Sequence, residues 1–386
     1  MIPNILTYYD VVKALEDFAA SHGGSASPAM IRRAILAGWK EITDRDWSCL
    51  IADGRVYLQA AVEHTAVYDH TGGTVERQLT TTGTWPTDAV DWSIRFASGV
   101  VCDVETRVSD TVVRLDATMN PRQDVASGTV TAYPRWYVLP SDFVSMSRPN
   151  EESRWTLGEP MDLASLMRLA RYQGEVGNIT YHAVGSPPDL YGAMALFIYP
   201  AATTSQTLDF TYRRRPRQLR WAGTEAATCA GTIAVTAGSA AVTGTSTSFD
   251  SSMVGSILRI GSSATAQPTG LDGPNPWVEE RAISAVTNAT HLTLDASIVT
   301  TRSGMKCTIT DPIDLDAVLH VAFQRCCEKH LSQIRDLNGK DETVAAYKDA
   351  LFNAKTADSR HREPRIAGPQ AQYYSQFPAY RPRPQS

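Results

Sequence analysis

Ser256-Ile257-Leu258-Arg259-Ile260, followed by Val278-Glu279-Glu280-Arg281 and Leu294-Asp295-Ala296-Ser297, repeats in order an earlier set of segments. That earlier set is Ser93-Ile94-Arg95-Phe96, Val104-Glu105-Thr106-Arg107 and Leu115-Asp116-Ala117-Thr118. Two further matches precede each set: Gly231-Thr232-Ile233 with Gly73-Thr74-Val75, and Thr243-Gly244-Thr245 with Thr82-Gly83-Thr84. Apolar residues alternate with polar ones in Ile94/Phe96 around Arg95 and in Val113/Leu115 around Arg114, the period of half-buried strands. The two stretches therefore read as gapped copies of one small β module. Used twice as an insertion, such a module adds surface without rebuilding a core, and it is a poor way to build a catalytic cleft.

Helical patterns flank the modules. Thr7 and Asp10 stand at capping-box spacing, where a hydroxyl and a carboxylate satisfy orphan amides at a helix start. Val11, Leu15, Phe18 and Ala19 follow at helical spacing. Ser27-Pro28 reads as the N-cap and first-turn proline of a second helix, with Ile31, Ala34, Ile35, Trp39 and Ile42 on its apolar face. Pro160 is expected to open a helix that ends at Gly174, with Leu163, Leu166, Met167 and Ala170 on one side. Strand-like runs follow at 179–184, 195–199 and 208–212. Asp311-Pro312 is expected to start another helix, with Asp314 and Asp316 at its positive dipole end. A final helix carries Val344, Tyr347, Leu351 and Ala354. After Arg360 the composition turns to Pro, Gln, Tyr and Arg without periodicity, which reads as an extended arm that a partner orders.

The expected fold class is α+β: a helical core with a small β element, interrupted by two inserted β-barrel or sandwich modules. The expected divisions are 1–68 (core helices and the start of the core), 69–131 (first β insertion) and 132–222 (core α/β segment). They continue with 223–310 (second β insertion), 311–361 (C-terminal core helices) and 362–386 (extended C-terminal arm).

Bulk composition narrows the function. At 386 residues, with 43% hydrophobic and 20% charged, the chain is an ordinary globular sequence of two or three domains. No apolar run reaches the roughly 18 residues of a membrane helix, and residues 1–10 lack a signal-peptide pattern. The expected setting is a reducing cytosol. Cys49, Cys102, Cys229 and Cys307 are isolated and Cys326-Cys327 is adjacent, so no Cys-x-x-Cys pair marks a zinc ribbon or redox motif. A net charge of −5 argues against a general nucleic-acid binder.

Few residues suggest chemistry. His320, Cys327 and His330 share a helical pattern, but their spacing is not that of a His-Glu-x-x-His pair. No Gly-x-Ser-x-Gly elbow or phosphate loop is present. Asp88/Asp91 and Glu279/Glu280 are carboxylate pairs of the kind glycosidases use, yet on turns and strand edges they read as solvated charges. No catalytic, metal or cofactor residue is assigned. Two clusters read as contacts. Arg213, Arg215, Arg217 and Arg220 form a basic run able to pair with acidic groups of a partner subunit or with phosphates. In the arm, Arg362, Arg365, Arg381 and Arg383 interleave with Tyr373, Tyr374, Phe377 and Tyr380, the residue types of interface hot spots.

The order of parts is similar to a known family. A helix pair, a β excursion, Tyr137-Val138-Leu139-Pro140-Ser141-Asp142-Phe143, Tyr212-Arg213-Arg214-Arg215-Pro216, and two closing helices with Tyr347, Ala350, Ala354 and Asp358 lead to the Arg/Pro tail. This arrangement resembles the head-to-tail connector (adaptor, tail tubular) proteins of tailed bacteriophages over about two thirds of the chain. The resemblance implies a virion structural protein of the neck, made in the host cytoplasm. It implies a dodecameric ring of copies beneath the portal protein that extends the DNA channel and carries tail or fibre proteins. It further implies that the C-terminal arm docks on the portal and that contact with genomic DNA is transient and non-specific, with no membrane insertion. A tail-fibre or receptor-binding component with glycan-binding β modules is the alternative, and a cell-wall or capsule hydrolase a third.

Overall fold

The computed structural model describes residues 5–22, 24–71, 76–149, 157–187, 192–269, 275–335 and 339–362. The chain forms two compact units, one from Leu50–Arg215 and one from Met1–Cys49 joined to Pro216–Ser386. Strand outweighs helix, 36% against 29%. The expected helical core with a small β element is therefore not the architecture. Helices recognisable by their local period dominate the two ends of the sequence. The sheets, however, are closed by pairings between segments far apart in the chain, which no local pattern displays.

Two helices open the second of these units: α1 (Tyr8–Ser21) and α2 (Pro28–Thr43). The Asp10 carboxylate accepts from both the amide and the hydroxyl of Thr7, each at 2.9 Å. Ser27 caps α2, accepting from the Met30 amide, and Pro28 is its first residue.

The Leu50–Arg215 unit starts with β1 (Ile51–Leu58) and a barrel of β2 (Val62–Asp69), β3 (Gln78–Thr81), β4 (Trp92–Phe96), β5 (Val101–Arg107), β6 (Val112–Leu115) and β7 (Val125–Pro134). These six strands close in the order β2-β3-β6-β5-β4-β7. After it come β8 (Tyr137–Val138), β9 (Phe143–Pro149), β10 (Glu159–Pro160), α3 (Leu163–Gln173) and β11 (Val176–Gly177). Then follow β12 (Tyr181–Gly185), β13 (Ala195–Tyr199), β14 (Ala201–Ala202) and β15 (Gln206–Arg214). Strand β15 lies between β1 and β9, with Ile51 opposite Arg213, so the two ends of the unit pair with each other. The helix expected at Pro160 begins at Leu163, because Asp162 takes the N-cap and accepts from the Ser165 amide at 2.8 Å while Pro160 lies in β10. It ends at Gly174 in the left-handed conformation (φ 52°), where a residue without Cβ is strongly preferred.

The remaining unit resumes with the short α4 (Ala226–Cys229) and then β16 (Thr232–Val235), β17 (Ala241–Thr245), β18 (Ile257–Gly261), β19 (Trp277–Asn288) and β20 (His291–Leu294). Strands β21 (Arg302–Met305) and β22 (Cys307–Thr310) are separated only by Lys306, and α5 (Ala317–Arg335) and α6 (Lys340–Arg362) close the described chain. The helix expected from Asp311-Pro312 starts at Ala317. Asp311 is instead held by residues 217–221, and Pro312 bridges to Thr7. Helix α5 packs on α1, α2 and α6, burying Leu319, Phe323, Cys326 and Leu331.

The seven strands curl in the order β21-β16-β17-β20-β19-β18-β22. Because the end strands β21 and β22 are one run of chain broken at Lys306, this order matches the closed barrel strand for strand, with the run 302–310 in the place of β7. The registers agree as well. Tyr68 faces Leu79 and Leu79 faces Val113, as Val235 faces Val242 and Val242 faces Leu292. Val104 faces Leu115 as Ile283 faces Leu294. The Leu115 amide donates to the Arg77 carbonyl and the Leu294 amide to the Ala240 carbonyl, in both cases the residue before the second strand. All these facing residues are core residues of their own module. The register corrects three of the sequence matches: the counterpart of Val104 is Ile283 and not Val278, that of Thr243 is Thr80 and not Thr82, and that of Ile233 is Ala66 and not Val75.

Candidate functional site

Of the basic run, the four arginines are placed very differently. In the Leu50–Arg215 unit, Arg213 is half-buried on β15 opposite Ile51 and Ser145. Arg215 is exposed just past the strand, its amide donating to the Asp142 carbonyl at 2.6 Å. Strand alternation thus ends before Arg215 can share a face with Arg213. In the other unit, Arg217 is committed internally. Its Nε and Nη2 reach Asp311 Oδ1 at 3.2 and 3.0 Å, and Nη2 also donates to Ser256 Oγ. Arg220 is exposed and lies 5.0 Å from the Trp221 ring centroid. The arm residues Arg365, Tyr373, Tyr374, Phe377, Tyr380, Arg381 and Arg383 lie outside the described residues, as does the Arg362 side chain at the end of α6.

Asp311 is the hub that the sequence does not advertise. Its side chain is fully buried and accepts on Oδ1 from Arg217 and from Ser256 Oγ, and on Oδ2 from the amides of Arg220 and Trp221, each at 2.6 Å. Its backbone carbonyl accepts from the Tyr8 amide and its amide donates to the Trp221 carbonyl. A buried carboxylate tolerates such a position only when its lone pairs are filled in this way. The site joins α1, the 216–222 connection and the end of β22.

A second buried charge ties the same β sheet to the first helix. Arg259 on β18 is 1% exposed, with its guanidinium 3.8 Å from the Trp277 ring centroid. It donates to Asp10, to Glu280 Oε2 and to the Ile5 carbonyl. The Glu279/Glu280 pair, expected to be solvated, is instead buried and ion-paired. Strand alternation sends Glu280 to Arg259, while Glu279 pairs with Arg281 at 2.7 Å and accepts from the Val299 amide. The other pair, in the Leu50–Arg215 unit, sits at the short helical turn 89–91, where Asp88 is exposed and Asp91 half-buried. Sequence did carry one signal for Arg259: it is the only charge within an otherwise apolar strand.

The histidine and cysteine positions also resolve. His320 bonds the Leu315 carbonyl and Cys327 is buried, so neither joins His330. Instead Glu41 from α2 gathers His330, Lys329 and Tyr347. Lys329 Nζ lies 2.6 Å and His330 Nε2 2.9 Å from Glu41 Oε2, and the Tyr347 hydroxyl donates to Oε1 at 2.8 Å. Burial alone would raise the Glu41 carboxyl, but these hydrogen bonds and the Lys329 charge outweigh it and hold it down at about 2. Glu41, Cys326 and His330 bring three donor atoms within 4.8 Å of one another, a spacing a metal ion could use. The chemistry fits poorly, because an ammonium already sits on the carboxylate and burial pushes the Cys326 thiol up to about 12, whereas the metal ligand is the thiolate. The cluster is a polar clamp between α2, α5 and α6.

Among the described residues no helix is long and apolar enough to cross a membrane. No protein-family model matches the chain, and no curated protein matches it significantly.

Proposed function

We propose that the protein is a non-enzymatic virion structural protein, a head-to-tail connector of a tailed bacteriophage that works as a ring of copies. The observation that carries this reading is one strand order and core register used twice, as a closed barrel in one compact unit and as a curled seven-stranded sheet in the other. Repeated β modules on a chain whose opening and closing helices pack together suit a subunit that presents surface to neighbours. The ionisable groups of the interior support the same reading: the buried Asp311, Arg259 and Glu280 and the half-buried Glu41 each make hydrogen bonds that hold secondary elements together. In this reading the ring sits below the portal protein, extends the DNA channel and receives tail or fibre proteins. The residues after Arg360 dock on the portal.

Electron microscopy of the purified protein, alone and mixed with portal protein, tests the proposal. Closed rings seated coaxially on the portal are expected. Deleting residues 361–386 should abolish docking while leaving the circular dichroism spectrum unchanged. A protein that forms no ring with or without portal, and shows no portal affinity, would overturn it.

A further inference from the structure

The Leu50–Arg215 unit carries a groove of about 360 Å³ where the end of β1 meets the turn 89–91 and the chain leaving β7. Tyr57, Pro134, Trp136 and Val138 are among its apolar lining, and Asp88 and Asp91 supply carboxylates. Tyr57 is 61% exposed and Val138 54%, so an aromatic ring and a branched side chain stand open to water on one groove. Asp88 is exposed as well. It occupies the N-cap of the turn without a side-chain bond to it, and among the described residues it makes no ion pair. The nearby cations are already matched. Arg55, also in the lining, pairs with Asp209 at 2.6 Å, and Arg135, which donates to the Val90 carbonyl, pairs with Asp103 at 3.3 Å. Exposed apolar surface beside the unpaired Asp88 carboxylate suits a ligand that is stiff, apolar and basic.

One stretch of the chain has that chemistry. Phe377-Pro378-Ala379-Tyr380-Arg381-Pro382-Arg383-Pro384 lies in the arm, outside the described residues. Proline fixes φ near −65° and biases the residue before it towards extended conformations. Positions 377, 378 and 381–384 are therefore restricted by sequence alone. Such a segment gives up little conformational entropy on binding. With three prolines lacking an amide it is a poor β-strand. Proline-rich segments dock instead into aromatic-lined grooves, and the two arginines complement the charge of Asp88.

We propose that this groove receives residues 377–384 of a second copy of the chain, with the prolines and Tyr380 against Tyr57 and Val138 and Arg381 or Arg383 paired with Asp88. The inference rests on the ring reading for the source of the segment, and narrows it: the portal contact falls to residues 361–376. An arm that fills the groove of the next copy makes a heterologous contact, the kind that closes into a ring.

The test uses full chains. Light copies carry the photo-crosslinker p-benzoylphenylalanine in place of Tyr380 and are mixed with ¹⁵N-labelled wild-type copies in high salt, which weakens the contact. After dialysis to low salt and irradiation, mass spectrometry should join the light site to heavy peptides containing residues 55–59, 88–92 or 134–138. Asp88→Lys in the heavy copies should lower that yield about fivefold, and Arg381→Glu with Arg383→Glu in the light copies should restore it. Tyr57→Ala should also lower it. Both groove residues are exposed, so the circular dichroism spectra should be unchanged. The proposal is overturned by crosslinks confined to light chains, by heavy peptides from elsewhere, or by a yield that Asp88→Lys leaves intact. Closed rings in the microscope without the mixed crosslink sink this assignment and spare the ring reading; the mixed crosslink in a protein that forms no ring does the reverse.

Discussion

The Arg259 guanidinium meets the Asp10 carboxylate as a fork, Nη1 and Nη2 each 2.8 Å from one of its oxygens. One residue lies on a sheet strand and the other in the first turn of α1, 249 positions earlier. Asp10 at the same time accepts from Thr7, so a single carboxylate starts a helix and anchors it to the sheet. Replacing Arg259 by Leu leaves Glu280 buried without its partner, and breaking a buried pair costs about 3–5 kcal/mol. Urea denaturation should show that loss for Arg259→Leu. A loss below about 1 kcal/mol would mean that the network is not holding α1 in place.

Asp311→Ala removes the acceptor for Arg217, Ser256 and two backbone amides at once. An uncompensated buried donor costs about 1–3 kcal/mol, and several are stranded here. Asp311→Ala should therefore destabilise its unit by more than about 3 kcal/mol, and Asp311→Asn by less, because the amide oxygen still serves part of the set. Equal effects of the two substitutions, measured by denaturant midpoint, would contradict this account.

Glu41 makes stability depend on acid. Its folded-state value of about 2 lies below the ordinary 4.5, so the stabilisation is complete above pH about 4.5 and is lost as pH falls towards 2. Glu41→Gln should flatten that limb of the stability curve between pH 5 and pH 2 (about the window linkage predicts). Thermal melts across this range, in which wild type and variant fell in parallel, would exclude Glu41 as the source.

Leu115 and Leu294 occupy matched places in the two barrel-type modules, each buried and each facing its counterpart, Val104 or Ile283. Leu115→Ala and Leu294→Ala should each cost about 2–5 kcal/mol, the range for a buried leucine. Hydrogen exchange should report each loss in the strands of the mutated module. If one substitution proved neutral, the matched registry would not describe the two cores.

Local order was readable along the chain. Thr7, Asp10, Ser27 and Pro28 set helix starts, Gly174 a helix end, and the alternating runs around Arg95 and Arg114 a pair of strands, because capping and side-chain period act over a few residues. The same signals misplaced the starts at Pro160 and Asp311, where a proline at a plausible N1 position was outweighed by Asp162 as cap and by the burial of Asp311. The likeness between the modules was visible too, but its alignment slipped by five residues at Val278, by two at Thr82 and by nine at Val75, since only the facing strand shows which residues correspond.

The amino-acid order by itself determined which segments are helical, which alternate, and that two of them share a plan. Tertiary structure alone decided that strands outweigh helices, that Ile51 pairs with Arg213, that Arg259 and Asp311 are buried fasteners, and that the half-buried Arg217 and Glu41 are spent on contacts within the chain. The physical reason is distance along the chain. A charge's role depends on the partner that folding brings to it, and Asp10 and Glu41 find theirs 249 and 288 residues away.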